Sequence, residues 1–246
     1  MSRRSRRLRR AEIIAELGQF HDPELAAVAP EVIMAAITPL LTPERAAVLD
    51  AGVARRLGSL TLVLENLHDP YNGAAVLRSA EAHGVQRVFV AETSEPFRIS
   101  SRVTGGTDKW LDVARFTDVE QCLREVKRAG FVTAAAHPRG EVALEELDVA
   151  QPLALVFGNE HEGLSERALA LCDLRYRIPM AGMVESLNLS VSAAISIYAC
   201  ARRIRERLGR VGDLTEAETL RLRAKWYALD VRGAALLVRR HLAERG

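Results

Sequence analysis

Short strand-like runs alternate with stretches of helical spacing from residue 60 onward. The first run, LTLVL at residues 60–64, is apolar at every position, which is typical of a strand buried on both faces. Further strands are predicted at residues 87–91, 112–115, 131–135, 153–157 and 176–178, with helices over 74–83, 118–129 and 165–171. Strands separated by helices form parallel sheets that carry helices on both faces. The sequence therefore predicts an α/β fold whose ligands bind at the carboxyl ends of the strands.

The two ends of the chain have a different character. Little before residue 58 has the pattern of a strand: residues 1–17 predict a basic helix, and Asp22-Pro23 and Thr42-Pro43 each mark the start of a further helix. From residue 214 onward the pattern predicts one or two amphipathic helices. We therefore expect a helical extension at 1–58, an α/β domain at 59–210 and a helical tail at 211–246.

Composition narrows the class of protein. A chain of 246 residues that is 48% hydrophobic can bury a full core, and none of its apolar runs has the length of a membrane span. Its first residues lack the apolar core of a signal peptide, so we expect a cytoplasmic protein. Cys122, Cys172 and Cys200 are far apart, and the six histidines have no metal-ligand spacing. The prediction is three free thiols and no metal.

The net charge of +2 hides an uneven distribution. Residues 1–10 carry six arginines and no acid, and residues 201–246 carry twelve lysines or arginines against six acids. Residues 11–200 hold 26 acids against 16 bases. Clustered arginine at chain ends is typical of a polyanionic partner, although a solvated charge run has the same composition.

Residues 178–195, IPMAGMVESLNLSVSAAI, lead from the end of a strand into a helix. The helix is predicted to bury an apolar stripe at Leu187, Val191, Ala194, Ile195 and Tyr198. Just before it lie three polar side chains, Glu185, Ser186 and Asn188. These residues either form a ligand site with the free amides of the helix start or act as ordinary helix caps.

Two earlier segments carry residues suited to chemistry. In residues 65–80, Arg78 lies about a turn and a half into a helix, and its side chain leans toward the strand ends, where a planar guanidinium suits a phosphate. In residues 153–165 a buried strand ends on Gly158, which allows a close approach of backbone to ligand, and Glu160 follows. The alternatives are a surface arginine and a solvated glutamate in a turn.

Together the three segments resemble the SpoU-type RNA 2′-O-ribose methyltransferases. The first motif of that family pairs Asn with an Arg six residues later, as in Asn72 and Arg78, and the second contains Gly-x-Glu, as in Gly158 and Glu160. The third motif, Ile-Pro-Met-x-Gly-Met-x-x-Ser-Leu-Asn-x-Ser-x-x-x-Ala, matches residues 178–194. Three motifs in the same order make the resemblance specific, and it covers residues 58–210.

The resemblance implies a parallel sheet flanked by helices with a C-terminal deep trefoil knot, which no strand pattern would predict. It implies that S-adenosylmethionine binds in the knot, held mainly by backbone; the matching residues are Ala136, Gly158, Ile178 and Leu187. It further implies a homodimer with active sites at the subunit interface, so that Arg78 serves a methyl donor bound by the other subunit.

The resemblance also assigns roles in catalysis. Arg78 orients an RNA phosphate and the reacting hydroxyl, with removal of the hydroxyl proton as a second hypothesis, because a guanidinium is a very poor base. Asn72 holds the first motif, and Glu160 acts at the donor and RNA site. Ser186 and Asn188 shape the third loop.

The target RNA is predicted from features outside the three motifs. Residues 105–110, GGTDKW, and the basic tail with Trp226 resemble family members that methylate guanosine 18 in the D-loop of tRNA. The residues predicted to contact RNA are Arg3, Arg4, Arg6, Arg7 and Lys109. A 23S rRNA target and a non-catalytic RNA-binding member are the alternatives. A dinucleotide-binding enzyme would need a G-x-G-x-x-G turn after the first strand, and this chain has none there.

Overall fold

The computed structural model describes residues 18, 20, 22–92 and 106–244. These residues form two compact units: one spans residues 57–211, and the other joins the described residues up to Arg56 with those from Gly212 onward. The basic helix predicted at residues 1–17 lies outside the described residues. So does most of the loop between the second and third strands.

The unit of residues 57–211 is built on a parallel sheet, for which seven strands fall within the described residues. They are β1 Leu57–Glu65, β2 Val85–Ala91, β3 Asp112–Phe116, β4 Val132–Ala136, β5 Val142–Ala143, β6 Leu153–Phe157 and β7 Leu174–Arg177, in the spatial order β3-β2-β1-β6-β4-β7-β5. Val63 in the interior strand β1 pairs with Phe89 on one side and Val156 on the other. Strands β2 and β6 are buried at every position because helices cover both faces.

Seven of the nine described helices begin at a side-chain cap, and α2 and α9 are the exceptions. In chain order they are α1 Pro23–Ala26, α2 Pro30–Ile37, α3 Pro43–Ala54, α4 Pro70–Ala82, α5 Val119–Arg128, α6 Glu166–Leu171, α7 Leu189–Leu208, α8 Glu216–Asp230 and α9 Ala234–Ala243. Asp69 accepts a hydrogen bond from the amide of Tyr71 at the start of α4, and Asp118 does the same for Glu120 in α5. Short 3₁₀ turns lie at Thr38–Leu40, Thr107–Trp110 and Leu144–Glu146.

The predicted α/β class with a helix-flanked parallel sheet is confirmed. The predicted strands all form, with ends shifted by up to three residues, and the sequence missed β5, whose two residues are too short for any periodicity. The trefoil knot stays a prediction of the family resemblance.

The predicted buried face of α7 was wrong. Val191, Ile195 and Tyr198 are 45%, 38% and 55% exposed. The buried face consists of Ala193, Ser196, Ile197, Cys200, Ala201 and Ile204, and α7 packs against both α4 and the strands β1 and β6. The helix has apolar residues on more than one side, so its spacing fits two stripes. Packing against α4 and the sheet decides which of the two is buried. An apolar face of α7 therefore remains exposed on this chain.

The other unit is helical and joins both chain ends. Helices α2 and α3 pack against α8. Arg223 of α8 donates to Asp50 of α3 at 2.7 Å, and Tyr227 Oη donates to the same carboxylate at 3.0 Å. The Arg56 guanidinium lies 4.6 Å from the centre of the Trp226 ring. The N-terminal and C-terminal extensions thus share one core, an association on which the sequence prediction was silent.

The three cysteine thiols are in environments that make them unreactive. Cys122 and Cys200 are buried and Cys172 is partly buried, and all three are free thiols. Burial raises the pKa of both Cys172 and Cys200 to about 12, so neither thiol is ionised at neutral pH. Within the described residues, no helix is both long enough and apolar enough to cross a lipid bilayer.

Candidate active site

A cavity of about 370 Å³ opens at the carboxyl ends of β4, β6 and β7. Its walls come from three segments, residues 136–138, 157–164 and 176–192. Phe157, Tyr176 and Ile178 give it an apolar side. Ligands of parallel sheets bind at this edge, and a pocket of this size suits a small molecule.

The loop after β6 folds tightly on itself to make one wall. Asn159 and Gly163 exchange backbone hydrogen bonds of 3.1 and 3.2 Å, and Asn159 Oδ1 accepts from the amides of His161 and Glu162 at 2.8 and 2.6 Å. A Cβ on Gly158 would lie 2.0 Å from the carbonyl carbon of Gly163. Glycine at this position is therefore required by the chain's own backbone, whereas the sequence argument had assigned it to a ligand.

Glu160 connects this loop to the first motif. Its Oε1 accepts a hydrogen bond from Asn72 Nδ2 at 3.1 Å. Its Oε2 is buried and has no hydrogen-bond partner among the described residues. A buried carboxylate oxygen without a donor is costly, so this atom is suited to a polar or positively charged group of a ligand.

The third motif lies partly in the cavity. Ile178, Ser186 and Leu187 line it, together with Ala136 and Gly158, so all four predicted cofactor residues lie in the cavity wall. Asn188 is not among the lining residues; it caps α7, and its Oδ1 accepts from the amide and the hydroxyl of Ser190 at 2.9 and 2.7 Å. The sequence left open whether Asn188 contacts a ligand or caps a helix, and in the structure it caps α7.

Arg78 lies apart from this constellation. It is exposed on α4 and makes no hydrogen bond or ion pair with any described residue. Neither Asn72 nor Arg78 is among the residues that line the cavity. A single chain thus brings together the predicted cofactor residues, Glu160 and Ser186, while its exposed arginine remains available to another molecule.

The predicted RNA contacts lie elsewhere. The ammonium of Lys109 is exposed and lies 4.4 Å from the centre of the Trp110 ring. Arg3, Arg4, Arg6 and Arg7 fall outside the described residues.

Several cavity residues were missed by the sequence argument. His137 lines the cavity, its amide donates to the Tyr176 carbonyl at 2.9 Å, and its Nδ1 accepts from the Arg139 amide at 3.1 Å. Leu189 and Ser192, from the first turn of α7, line it as well. The one feature of the sequence that could have identified His137 as a cavity residue is its position next to Ala136, which was predicted to bind the cofactor. Among the described residues, no group of three or more His, Cys, Asp or Glu side chains is arranged to hold a metal ion.

Comparison with known proteins identifies the class to which this fold and cavity belong. Residues 59–198, more than half of the chain, match the model of the SpoU rRNA methylase family. The chain belongs to the SpoU methylase family.

Two of its similar curated proteins are named for the same tRNA nucleotide. The tRNA (guanosine(18)-2′-O)-methyltransferase of Thermus thermophilus is 37% identical over 150 residues, which cover 61% of this chain and 77% of the relative. The Escherichia coli K12 enzyme of the same name is 33% identical over 187 residues, 74% of this chain and 81% of the relative.

Solved structures agree with this assignment. The Aquifex aeolicus TrmH/SpoU tRNA modifying enzyme superposes with a TM-score of 0.68 at 32% identity, covering 76% of this chain and 97% of that one. An AdoMet-bound rRNA methyltransferase from Sinorhizobium meliloti gives a TM-score of 0.55 at 29% identity, over 63% of this chain and 60% of the other. The likeness therefore extends to members named for tRNA and for rRNA.

Proposed function

We propose that this protein transfers a methyl group from S-adenosylmethionine to a ribose 2′-hydroxyl of RNA, and that its target is guanosine 18 of tRNA. The observation that carries the proposal is that the second and third motif segments line one cavity at the carboxyl edge of the sheet, and that Asn72 of the first motif donates a hydrogen bond to Glu160 in its wall. Relatives named for this reaction align over about three quarters or more of their own length.

The residues of the cavity fit S-adenosylmethionine. The apolar side formed by Phe157, Tyr176, Ile178 and Leu187 suits an adenine ring, and the unpartnered Oε2 of Glu160 is an acceptor for a polar or cationic group. When bound, S-adenosylmethionine supplies a methyl group already activated by a positively charged sulfur. No metal ion is needed for such a transfer, and we propose none.

The work of the protein is then to orient the ribose and accept its proton. The exposed guanidinium of Arg78 can bind an RNA phosphate in two parallel hydrogen bonds and so place the neighbouring ribose. Asn72 and Glu160 hold each other through their hydrogen bond. Since a guanidinium stays protonated at neutral pH, orientation is the first role we assign to Arg78, and proton removal the second.

We infer that the active protein is a homodimer. Val191, Ile195 and Tyr198 form an exposed apolar stripe on α7, and Met183 and Val184 in the loop before it are 100% and 62% exposed. A cluster of exposed apolar side chains is typical of a protein interface. A second copy seated there would also explain why Arg78 lies outside the cavity of its own chain.

The chain ends support a polyanionic partner. The helical unit and the arginines of residues 1–10 would bind tRNA, with Lys109 as a further contact, and residues 59–210 would carry the reaction. A tRNA substrate implies a cytoplasmic protein.

The test measures transfer of labelled methyl from S-adenosylmethionine to an unmodified tRNA transcript and to the same transcript with 2′-deoxyguanosine at position 18. We expect label on the first and none on the second. Label on both would move the target to another nucleotide. Label on neither, followed by label on 23S rRNA, would favour the rRNA target for which relatives exist. Binding of RNA without any transfer would indicate a non-catalytic member.

A further inference from the structure

Glu65 is a buried carboxylate at the carboxyl end of β1. Its side chain belongs to a residue only 2% exposed. Both carboxylate oxygens bond one residue, Ser165: the amide donates to Oε2 at 2.9 Å and the hydroxyl donates to Oε1 at 2.6 Å. Within the described residues it forms no ion pair. Burial of a carboxylate costs free energy, so the charge is tolerated here through these two hydrogen bonds.

Ser165 is the residue at which the cavity loop ends. Residues 158–164 all line the cavity, and Ser165 follows them directly. Its hydroxyl oxygen also accepts from the amide of Ala168 at 3.1 Å, which caps α6. The carboxylate of Glu65 therefore holds the junction between the cavity loop and the helix after it.

A second hydrogen bond joins the cavity loop to residues 65–80, with the positions of donor and acceptor exchanged. There the carboxylate is on the loop, at Glu160, and the donor is Asn72, seven residues after Glu65. The loop between the two contacts is closed by its own Asn159–Gly163 backbone hydrogen bonds, so it should move as one piece. Two carboxylates thus determine where this wall lies relative to the first motif.

We propose that Glu65 is a positioning residue for the donor site: acting through Ser165, it sets the place of the loop that carries Gly158 and Glu160. This inference rests on the proposed function, because the ligand of the cavity is taken to be S-adenosylmethionine. Glu65 itself is not among the residues that line the cavity. If the end of β1 needed only packing, an apolar side chain would fill it without the cost of a buried charge.

The structure offers a matched control. Thr133, at the start of β4, donates from both its amide and its hydroxyl to Asp173 Oδ2, each at 2.8 Å. This is the same kind of hydroxyl–carboxylate pair, but it lies at the amino ends of the strands, away from the cavity. Ser165→Ala and Thr133→Val each remove one hydroxyl and keep the backbone donor.

The experiment measures the Kd of S-adenosylmethionine by calorimetry on the full chain, with amide hydrogen exchange of residues 159–164 on the same samples. Ser165→Ala should weaken binding at least tenfold and speed exchange in the loop, whereas Thr133→Val should leave both within twofold. Glu65→Ala should match Ser165→Ala. Glu65→Gln, whose amide can still accept from one donor of Ser165, should recover most of the affinity.

The outcomes separate the two levels of the proposal. If the wild type binds and Ser165→Ala binds within twofold of it, the positioning role is overturned and the proposed function stands. If the wild type does not bind, the proposed function fails, and unchanged exchange in the loop of Ser165→Ala would overturn the positioning role independently. Should Glu65→Ala not fold, Ser165→Ala and Glu65→Gln decide the matter.

Discussion

Arg78 is exposed and makes no hydrogen bond or ion pair with any described residue. Arg78→Lys keeps the charge but loses the planar fork that bonds a phosphate twice. Loss of one charge-assisted hydrogen bond costs about 2 kcal/mol, so we expect methyl transfer to fall about 30-fold while the Kd of S-adenosylmethionine is unchanged. The control is Arg124→Lys on the exposed face of α5. Near-normal turnover by Arg78→Lys would exclude both a bidentate and a basic role.

Gly158 is constrained by the loop that folds back on it. Gly158→Ala should lower the free energy of unfolding by about 3 kcal/mol, since its Cβ would meet the backbone of Gly163 and Leu164 within 2.2 Å. Gly182→Ala is the matched change, because nothing lies within 4 Å of a Cβ there, and it should stay within about 0.5 kcal/mol of the wild type. Urea denaturation of the two variants measures the difference. Equal stabilities would show that the loop moves away freely.

At the scale of the element, Asn188 begins α7. Asn188→Ala should cost about 1 kcal/mol of stability, whereas Asn188→Asp keeps the oxygen that accepts from Ser190 and should cost little. If Asn188 shapes the third loop through its cap alone, the Asp variant retains methyl transfer. Asp118→Ala, which removes the cap of α5, provides a loss of similar size away from the cavity. An Asp variant that is stable but inactive would instead mean that the amide itself contacts a ligand.

At the scale of the molecule, the exposed stripe of α7 predicts the state of association. Ile195→Glu would place a charge in an apolar interface, so sedimentation should show a monomer where the wild type is a dimer. Leu40→Glu introduces the same charge at an apolar residue that is 52% exposed on the helical unit, and it should leave the dimer intact. If Arg78 acts on the active site of the partner subunit, the monomeric Ile195→Glu variant should also lose methyl transfer. A monomeric wild type would contradict this inference.

The uneven charge of the whole chain predicts how tRNA binding responds to salt. Deletion of residues 1–10 removes six arginines. A plot of log affinity against log salt has a negative slope, and each phosphate that the protein no longer neutralises reduces the steepness of that slope by about 0.7 to 0.9. The deletion should therefore weaken tRNA binding and make it less sensitive to salt. The Kd of S-adenosylmethionine should not change. An unaltered slope would identify the arginine run as a solvated surface charge.

The sequence by itself determined the features that depend on near neighbours in the chain. Alternating strand and helix patterns predicted the sheet, since side-chain periodicity follows from local backbone geometry. Asp22 and Thr42 each cap a helix because an acceptor side chain next to a helix start reaches its free amides. The motif spacing was specific enough to predict the family, and the second and third motif segments line the cavity.

The tertiary structure decided what depends on residues far apart in the chain. Which face of α7 is buried follows from its packing against α4 and the sheet, and the spacing of its apolar residues permits either face. The need for glycine at 158 comes from the fold of its own loop, and the pairing of Glu65 with Ser165 joins residues 100 positions apart. The shared core of the two chain ends depends in the same way on topology. The periodicity of the sequence carries no information on such partners. It reflects only residues that are close in the chain, whereas these partners are close in space and far apart in the chain.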